Sequence, residues 1–131
     1  MKALQEAIND ISRLENIIKK INGTQYSGSW EWREILHSKD SSYQVLEAWD
    51  RDGKETPMEP HCHDDLVETV FVLIGSIYVN TKDRNGLEDV YIIGEGEFIN
   101  FPSKVIHSTC PTKGTKALII CRPAEPAYVI S

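Results

Sequence analysis

The sequence predicts an all-β domain preceded by one N-terminal amphipathic α-helix. From residue 28 onward it consists of short runs rich in Val, Ile, Tyr, Phe, Trp and Thr, separated by turn residues about every eight to twelve positions. Helical spacing of apolar residues is confined to the first 21 positions. Because no alternation of strands and helices follows residue 23, a parallel α/β sheet is excluded. A sandwich, a jelly roll and a small barrel all fit these patterns.

Residues 1–23 are predicted to form the helix, which ends at Asn22-Gly23, a pair that favours the left-handed conformation found after helix C-termini. Its apolar side chains recur at spacings of three and four residues and form one stripe, which a lone helix must bury. The stripe therefore packs either on the sheet of its own domain or against a second copy of the chain. It comprises Leu4, Ile8, Ile11, Leu14, Ile18 and Ile21.

Residues 24–131 are predicted to form the β domain. Asn85-Gly86 predicts a two-residue hairpin, because a type I′ turn needs positive φ at both central residues. Looser turns are indicated at 51–54 and 112–114. The predicted strands are Ser29–Ile35, Ser42–Trp49, Glu68–Ile74, Ser76–Thr81, Leu87–Ile93, Glu97–Phe101, His107–Cys110, Lys116–Cys121 and one near Tyr128.

The composition narrows the class of protein. A chain of 131 residues suits one domain that folds without a disulfide or a structural metal. Its formal net charge of -6 argues against nucleic acid as a partner, which needs a clustered basic surface. Three cysteines without CxxC spacing predict free thiols in a reducing compartment, the cytoplasm. With neither a signal peptide nor an apolar run of spanning length, no membrane partner is expected.

Three of the four histidines predict a metal site. His61 and His63 are two residues apart, so on a strand both imidazoles point to one face. Glu68 opens the next apolar run, and His107 follows on a later strand. Three imidazoles and a carboxylate suit a divalent transition metal such as Fe, Mn, Ni, Zn or Co, whereas imidazole disfavours Ca and Mg. His37 lies outside the pattern and is interpreted as structural.

These residues resemble the two motifs of the cupin family. The first motif has His-x-His, three or four residues, Glu, six residues and Gly, as in His61, His63, Glu68 and Gly75. The second has Gly, five residues, Pro, then His five positions after the Pro, as in 96–107. Three positions depart from the pattern: a Gly before the first motif is displaced to Gly53, Lys104 replaces a Gly of the second, and Pro111 replaces its closing Asn. A different turn is therefore expected at Lys104.

The resemblance implies a double-stranded β-helix, the jelly-roll barrel of cupins, with His61, His63, Glu68 and His107 as metal ligands pointing inside. It also implies a homodimer. Cys62 and Cys110 are predicted to face away from the metal and not to bind it. Aromatic residues that could shape an apolar pocket, although core packing is the commoner role, are Trp30, Trp32, Trp49, Tyr43, Tyr78 and Phe101.

Such a site leaves coordination positions open for a small-molecule substrate, water or O2. With Fe(II) this predicts a dioxygenase, which we place ahead of Lewis-acid isomerase or lyase chemistry on Mn, Ni or Zn. The alternative from another class is a non-catalytic module that binds a metal or small ligand. Glu47 and Tyr91 lie in predicted strands, but strand parity does not fix which face they occupy, so no catalytic acid or base is assigned.

Overall fold

The computed structural model describes residues 24–124, which form nine strands in two antiparallel sheets. The predicted N-terminal helix and the strand near Tyr128 lie outside these residues. One sheet has the order β1-β2-β3-β9-β4-β7 and the other the order β6-β5-β8. The strands are β1 (Gln25–Ser27), β2 (Trp30–His37), β3 (Gln44–Asp50), β4 (Val67–Ile74), β5 (Ser76–Lys82), β6 (Glu88–Gly94), β7 (Phe98–Phe101), β8 (Ile106–Pro111) and β9 (Lys116–Arg122).

The predicted strands from residue 29 to residue 121 are all present, with ends shifted by at most two residues. β1 was not predicted, because three residues are too few to show alternation. Between residues 24 and 124 there is no helix that is long and apolar enough to cross a membrane.

The hairpin between β5 and β6 differs from the prediction at Asn85-Gly86. Gly86 has φ +78°, but Asn85 is not among the described residues with positive φ, so the turn is not type I′. The Gly86 N–H donates to the Asp83 carbonyl (3.1 Å), and the Asp83 N–H donates to the Leu87 carbonyl (3.0 Å). These bonds close a three-residue loop, a tight turn followed by a left-handed glycine. The Asp83 side chain favours this loop over a type I′ turn, because its Oδ1 accepts hydrogen bonds from the N–H groups of Asn85 and Leu87.

The two sheets enclose an apolar core built from alternating inward side chains. Val72 of β4, Ile77 and Val79 of β5 and Ala117 of β9 are at most 1% exposed. The chain passes from β4 to β5 through Gly75, which has φ +87°. A Cβ at this position would collide with Thr115, so a glycine is required by both conformation and space.

The strand order determines which residues lie beside Glu68. Because β4 pairs with both β7 and β9, Glu68 stands in register with Phe101 on one side and Cys121 on the other. β8 belongs to the opposite sheet and carries His107. An isolated antiparallel bridge between His61 and His107 then ties the segment before β4 to β8.

Candidate metal centre

Four side chains predicted to bind metal converge inside the barrel. One nitrogen from each of three imidazoles and one carboxylate oxygen lie within 4.8 Å of one another. Glu68 and His107 are buried, and the other two are half-buried. The structure thus brings the whole predicted set together, while its role in binding a metal stays a prediction. The set is His61, His63, Glu68 and His107.

The backbone holds the three histidines in place. His61 and His107 exchange two hydrogen bonds, with N···O distances of 3.0 and 2.8 Å. His63 belongs to no strand, and its carbonyl accepts from the N–H of Lys104 (2.6 Å). Residues 61–63 form no regular strand and have a single β-bridge, between His61 and His107, so strand alternation is not what directs the two imidazoles to the same point.

The turn that carries Lys104 also departs from its expectation. Lys104 has φ +67°, the left-handed conformation that favours glycine. Lys104 therefore adopts the left-handed backbone conformation that a glycine at this position would favour, so the replacement of Gly by Lys has not removed that conformation from the turn. In this conformation its N–H reaches His63 and anchors the loop that bears this imidazole.

Glu68 is the centre of the cluster's electrostatics. Its Oε2 lies 2.9 Å from Nε2 of His63 and 3.3 Å from Nε2 of His107. Burial by itself would raise the pKa of the Glu68 carboxyl, but the two imidazoles outweigh it and lower the pKa to about 2. The carboxylate is therefore negatively charged at neutral pH, as a metal ligand must be.

The imidazole of His107 is oriented by contacts on its other atoms. Its Nδ1 donates to the Val105 carbonyl at 3.3 Å, and its ring stacks on Phe101 with centroids 4.1 Å apart and an interplanar angle of 8°. A carbonyl only accepts, so the Nδ1 proton leaves the lone pair of a neutral ring on Nε2. Nε2 is buried and has no hydrogen bond within residues 24–124, since its contact with Glu68 lacks the required geometry.

His61 shows the same arrangement nearer the surface. Its Nδ1 lies 3.1 Å from the Glu59 carbonyl, which fixes the proton there and frees Nε2. Burial lowers the pKa of His61, a shift that the hydrogen bond to Glu59 partly opposes. The ring is therefore neutral at pH 7, the form that binds metals.

The donor set fits a divalent transition metal. Nε2 of the buried His107 lies 3.3 Å from an oxygen of Glu68 without a well-formed hydrogen bond, and a cation between these two atoms, either a proton or a metal ion, stabilises the arrangement. Three imidazole nitrogens and one carboxylate oxygen match the preferences of Fe, Mn, Ni, Zn and Co. Phe101 covers one face of the His107 ring with apolar surface.

Other residues named from the sequence lie outside the cluster. His37 is on the outer surface, where its ring nitrogens contact Glu34 and Ser41, in agreement with its structural interpretation. Cys62 is exposed, and Cys110 is buried away from the four donor groups. Glu47 forms an ion pair with Arg33, and Tyr91 is 43% exposed.

A cavity of about 260 Å³ adjoins the cluster. Of the six aromatic candidates, Trp30 and Trp32 line it, and Phe101 supports His107 instead. Sequence reasoning missed the cavity contribution of Met58, Thr109 and Cys121, since only strand parity reveals which side chains point inward. The cavity also borders Ser27, Leu46, Ala48, Glu59, His61, His63, Glu68, Val70 and Ile119. Tyr43 and Tyr78 are exposed, and Trp49 borders a separate surface groove.

Comparison with known proteins gives matches at the level of structure. No protein-family model and no curated protein sequence matches the chain. KdgF from Halomonas sp. matches with a TM-score of 0.63 and 13% sequence identity, over 78% of this chain and 86% of its own. Its length is therefore similar to that of the present chain.

Oxalate decarboxylase of Bacillus subtilis is a second structural match. A variant of this enzyme, OxdC, has a TM-score of 0.68 and 19% identity over 84% of this chain. Another of its structures, concerned with the Mn(II) centres of that enzyme, has a TM-score of 0.68 and 20% identity over 82% of this chain. The match spans only 29% of the oxalate decarboxylase chain. Both neighbours are cupins, so the resemblance seen in the two sequence motifs is confirmed, and the chain has the cupin fold.

Proposed function

We propose that this protein is a metal-dependent cupin enzyme that acts on a small organic molecule. The proposed ligands are His61, His63, Glu68 and His107. The observation that carries the proposal is the convergence of one nitrogen from each of three imidazoles and one Glu68 carboxylate oxygen within 4.8 Å of one another, a donor set that suits a single transition-metal ion.

The residues of the chain prepare the centre for binding and for turnover. Hydrogen bonds to backbone carbonyls set the tautomers of His61 and His107, and Glu68 supplies one compensating negative charge. The adjoining cavity gives a small molecule access to the same point while its walls limit water. A bound metal would supply either electron transfer to O2 or polarisation of a carbonyl or hydroxyl oxygen.

Two reaction classes follow from this centre. Oxidation of a chelating substrate by O2, with iron as the metal, is the reaction we propose first. Lewis-acid isomerase or lyase chemistry on Mn, Ni or Zn is the second candidate, and the Mn(II) centres of the oxalate decarboxylase neighbour support manganese as a metal for such a site. A non-catalytic metal-binding module is the alternative outcome.

The test of the metal site is elemental analysis of protein purified without a metal-affinity tag. We expect close to one equivalent of a transition metal per chain in the unaltered protein and a loss of most of it in H61A and H107A. H37A is the matched control, because His37 is a surface histidine outside the cluster. Metal content that is low in every preparation and unchanged in H61A and H107A would contradict the site.

The test of the reaction uses protein reloaded with iron or with manganese. Oxygen uptake that requires iron and a chelating organic acid or diol supports the dioxygenase. Substrate conversion with manganese and without oxygen uptake supports Lewis-acid chemistry. Metal binding with no turnover across a broad panel of chelating compounds supports the binding module.

A further inference from the structure

The cavity beside the metal centre indicates which class of substrate it accepts. Its volume of about 260 Å³ equals roughly nine water molecules, enough for a compound of about ten non-hydrogen atoms. His61, His63 and Glu68 line one end, so a molecule in the cavity reaches the proposed ligands directly. The exposed Glu59 also lines it and marks where it opens to solvent.

The walls of this cavity are apolar. Trp30, Leu46 and Val70 are at most 4% exposed and form its deep side, and Trp32, Met58 and Ile119 lie nearer the opening. Such walls favour burial of an apolar body over that of a polar one.

Two of the polar wall groups are already bonded to one another. The indole N–H of Trp30 donates to Oγ1 of Thr109 at 2.9 Å. Oγ1 of Thr109 in turn directs its proton to the Met58 sulfur at 3.2 Å. The protons of both groups are therefore already used, and neither group is free to donate a hydrogen bond to a second anionic or carbonyl end of a ligand.

Charge gives a second restriction. Within residues 24–124 the cavity wall contains no Lys or Arg, and its one ionisable carboxyl apart from Glu68 is Glu59. A divalent metal bound by the carboxylate of Glu68, which is deprotonated when it acts as a ligand, leaves a net charge of about +1, which one negative charge on a substrate neutralises. A second negative charge would lie against apolar walls without a partner.

We propose that the substrate combines an apolar body with a single bidentate oxygen end that carries at most one negative charge. The same walls disfavour small dianions such as oxalate, which lack an apolar body and carry a second negative charge. This inference rests on the proposed metal site and names the substrate class of that site.

The test measures ligand binding by calorimetry on protein loaded with Co(II) or Zn(II). Acetohydroxamate and benzohydroxamate share one chelating end and differ only in their apolar body. We expect benzohydroxamate to bind about tenfold more tightly or better, since its ring is buried in the cavity. Oxalate is expected to bind at least about tenfold more weakly than benzohydroxamate.

Two variants on β9 locate the bound ring. I119F fills the cavity and is expected to weaken benzohydroxamate binding about tenfold or more, with acetohydroxamate changed less than about twofold. I120F is the matched control, because the next residue on a strand points to the other face.

The outcomes separate the two proposals. Metal-loaded protein that binds both hydroxamates equally, or oxalate most tightly, overturns the substrate class and leaves the metal site intact. The comparison needs only the unaltered protein, so it stands even where a variant does not fold. Protein that takes up no Co(II) or Zn(II) overturns the metal site, and the substrate class with it.

Discussion

The interior of this barrel has two halves that are built from the same strands. In one half, Val72 of β4 and Ala117 of β9 pack tightly with Ile77 of β5, each of them fully buried. In the other half the same β4 and β9 present Glu68 and Cys121 to the cavity. Four residues along one strand thus separate a close-packed core from an open, charged site. The difference teaches that packing can fix the geometry of the ligands without filling the space beside them.

The packed half gives the largest expected effect on stability. I77A removes a fully buried side chain and is expected to lower the free energy of unfolding by about 2–5 kcal/mol. Urea denaturation of metal-free protein measures this loss. V90A is the control, because Val90 is 73% exposed and its truncation is expected to change stability by less than about 0.5 kcal/mol.

The same variant also tests whether the two halves are separable. Folded I77A is expected to bind metal in the same ratio as the unaltered protein, because Ile77 is neither one of the four donor residues nor one of the residues that line the cavity. A folded I77A that has lost its metal would show that the core positions the ligands directly.

In the open half, substitution of a proposed ligand is expected to lower the affinity for the metal. E68Q keeps the side-chain volume and removes the charge that faces the imidazoles. Loss of an outer-sphere partner costs about 10–100-fold in metal affinity, so loss of this direct ligand is expected to cost about 100-fold or more, equivalent to about 2.7 kcal/mol. Competition with a metal-sensitive dye measures the change. E88Q on the exposed β6 is the control, and equal affinities in the two variants would remove Glu68 from the site.

The boundary between the halves is the buried pair formed by Trp30 and Thr109. T109V keeps the shape of the side chain but leaves the indole N–H of Trp30 without its acceptor. We expect a loss of about 1–3 kcal/mol in unfolding free energy, because an unpaired buried donor retains its full desolvation penalty. Chemical denaturation measures it against T81V, a half-exposed threonine on β5. A loss no greater than that of T81V would show that the indole finds another acceptor.

Much of this arrangement was accessible from the sequence because it follows from short-range patterns. Alternating apolar runs defined the strands, and two histidine motifs at fixed spacing named the four residues that converge. The spacing of His61, His63 and Glu68 was informative even though the first two do not share a regular strand. The four side chains converge because the His61–His107 bridge and the loop that carries His63 bring them together. The motif spacing identifies these residues, but it does not predict either contact.

The parts that were missed depend on long-range register. The stacking of Phe101 on His107 joins strands of different sheets, and the cavity exists only once inward and outward faces are assigned on β2, β3, β4 and β9. The turn at Asn85-Gly86 was missed for a local reason, since the side chain of Asp83 bonds two N–H groups and selects another turn.

The smallest expected effect on stability is that of an ion pair on the outer face of the barrel, between Arg33 and Glu47. This exposed pair serves as a reference for the buried charges of the metal site. Arg33 directs both Nε and Nη2 to one oxygen of Glu47, at 3.1 and 2.9 Å, but the two side chains are 43% and 36% exposed. Water therefore screens this pair, and a double-mutant cycle of R33Q and E47Q is expected to give a coupling of about 0.2–1 kcal/mol that declines with added salt. Glu68 makes a contact of the same length, 2.9 Å, with Nε2 of His63 inside the barrel, where water screens the charges much less. A coupling well above 1 kcal/mol on the outer face would mean that exposure does not distinguish the two sites, and that the inner cluster owes its need for a cation to something other than burial.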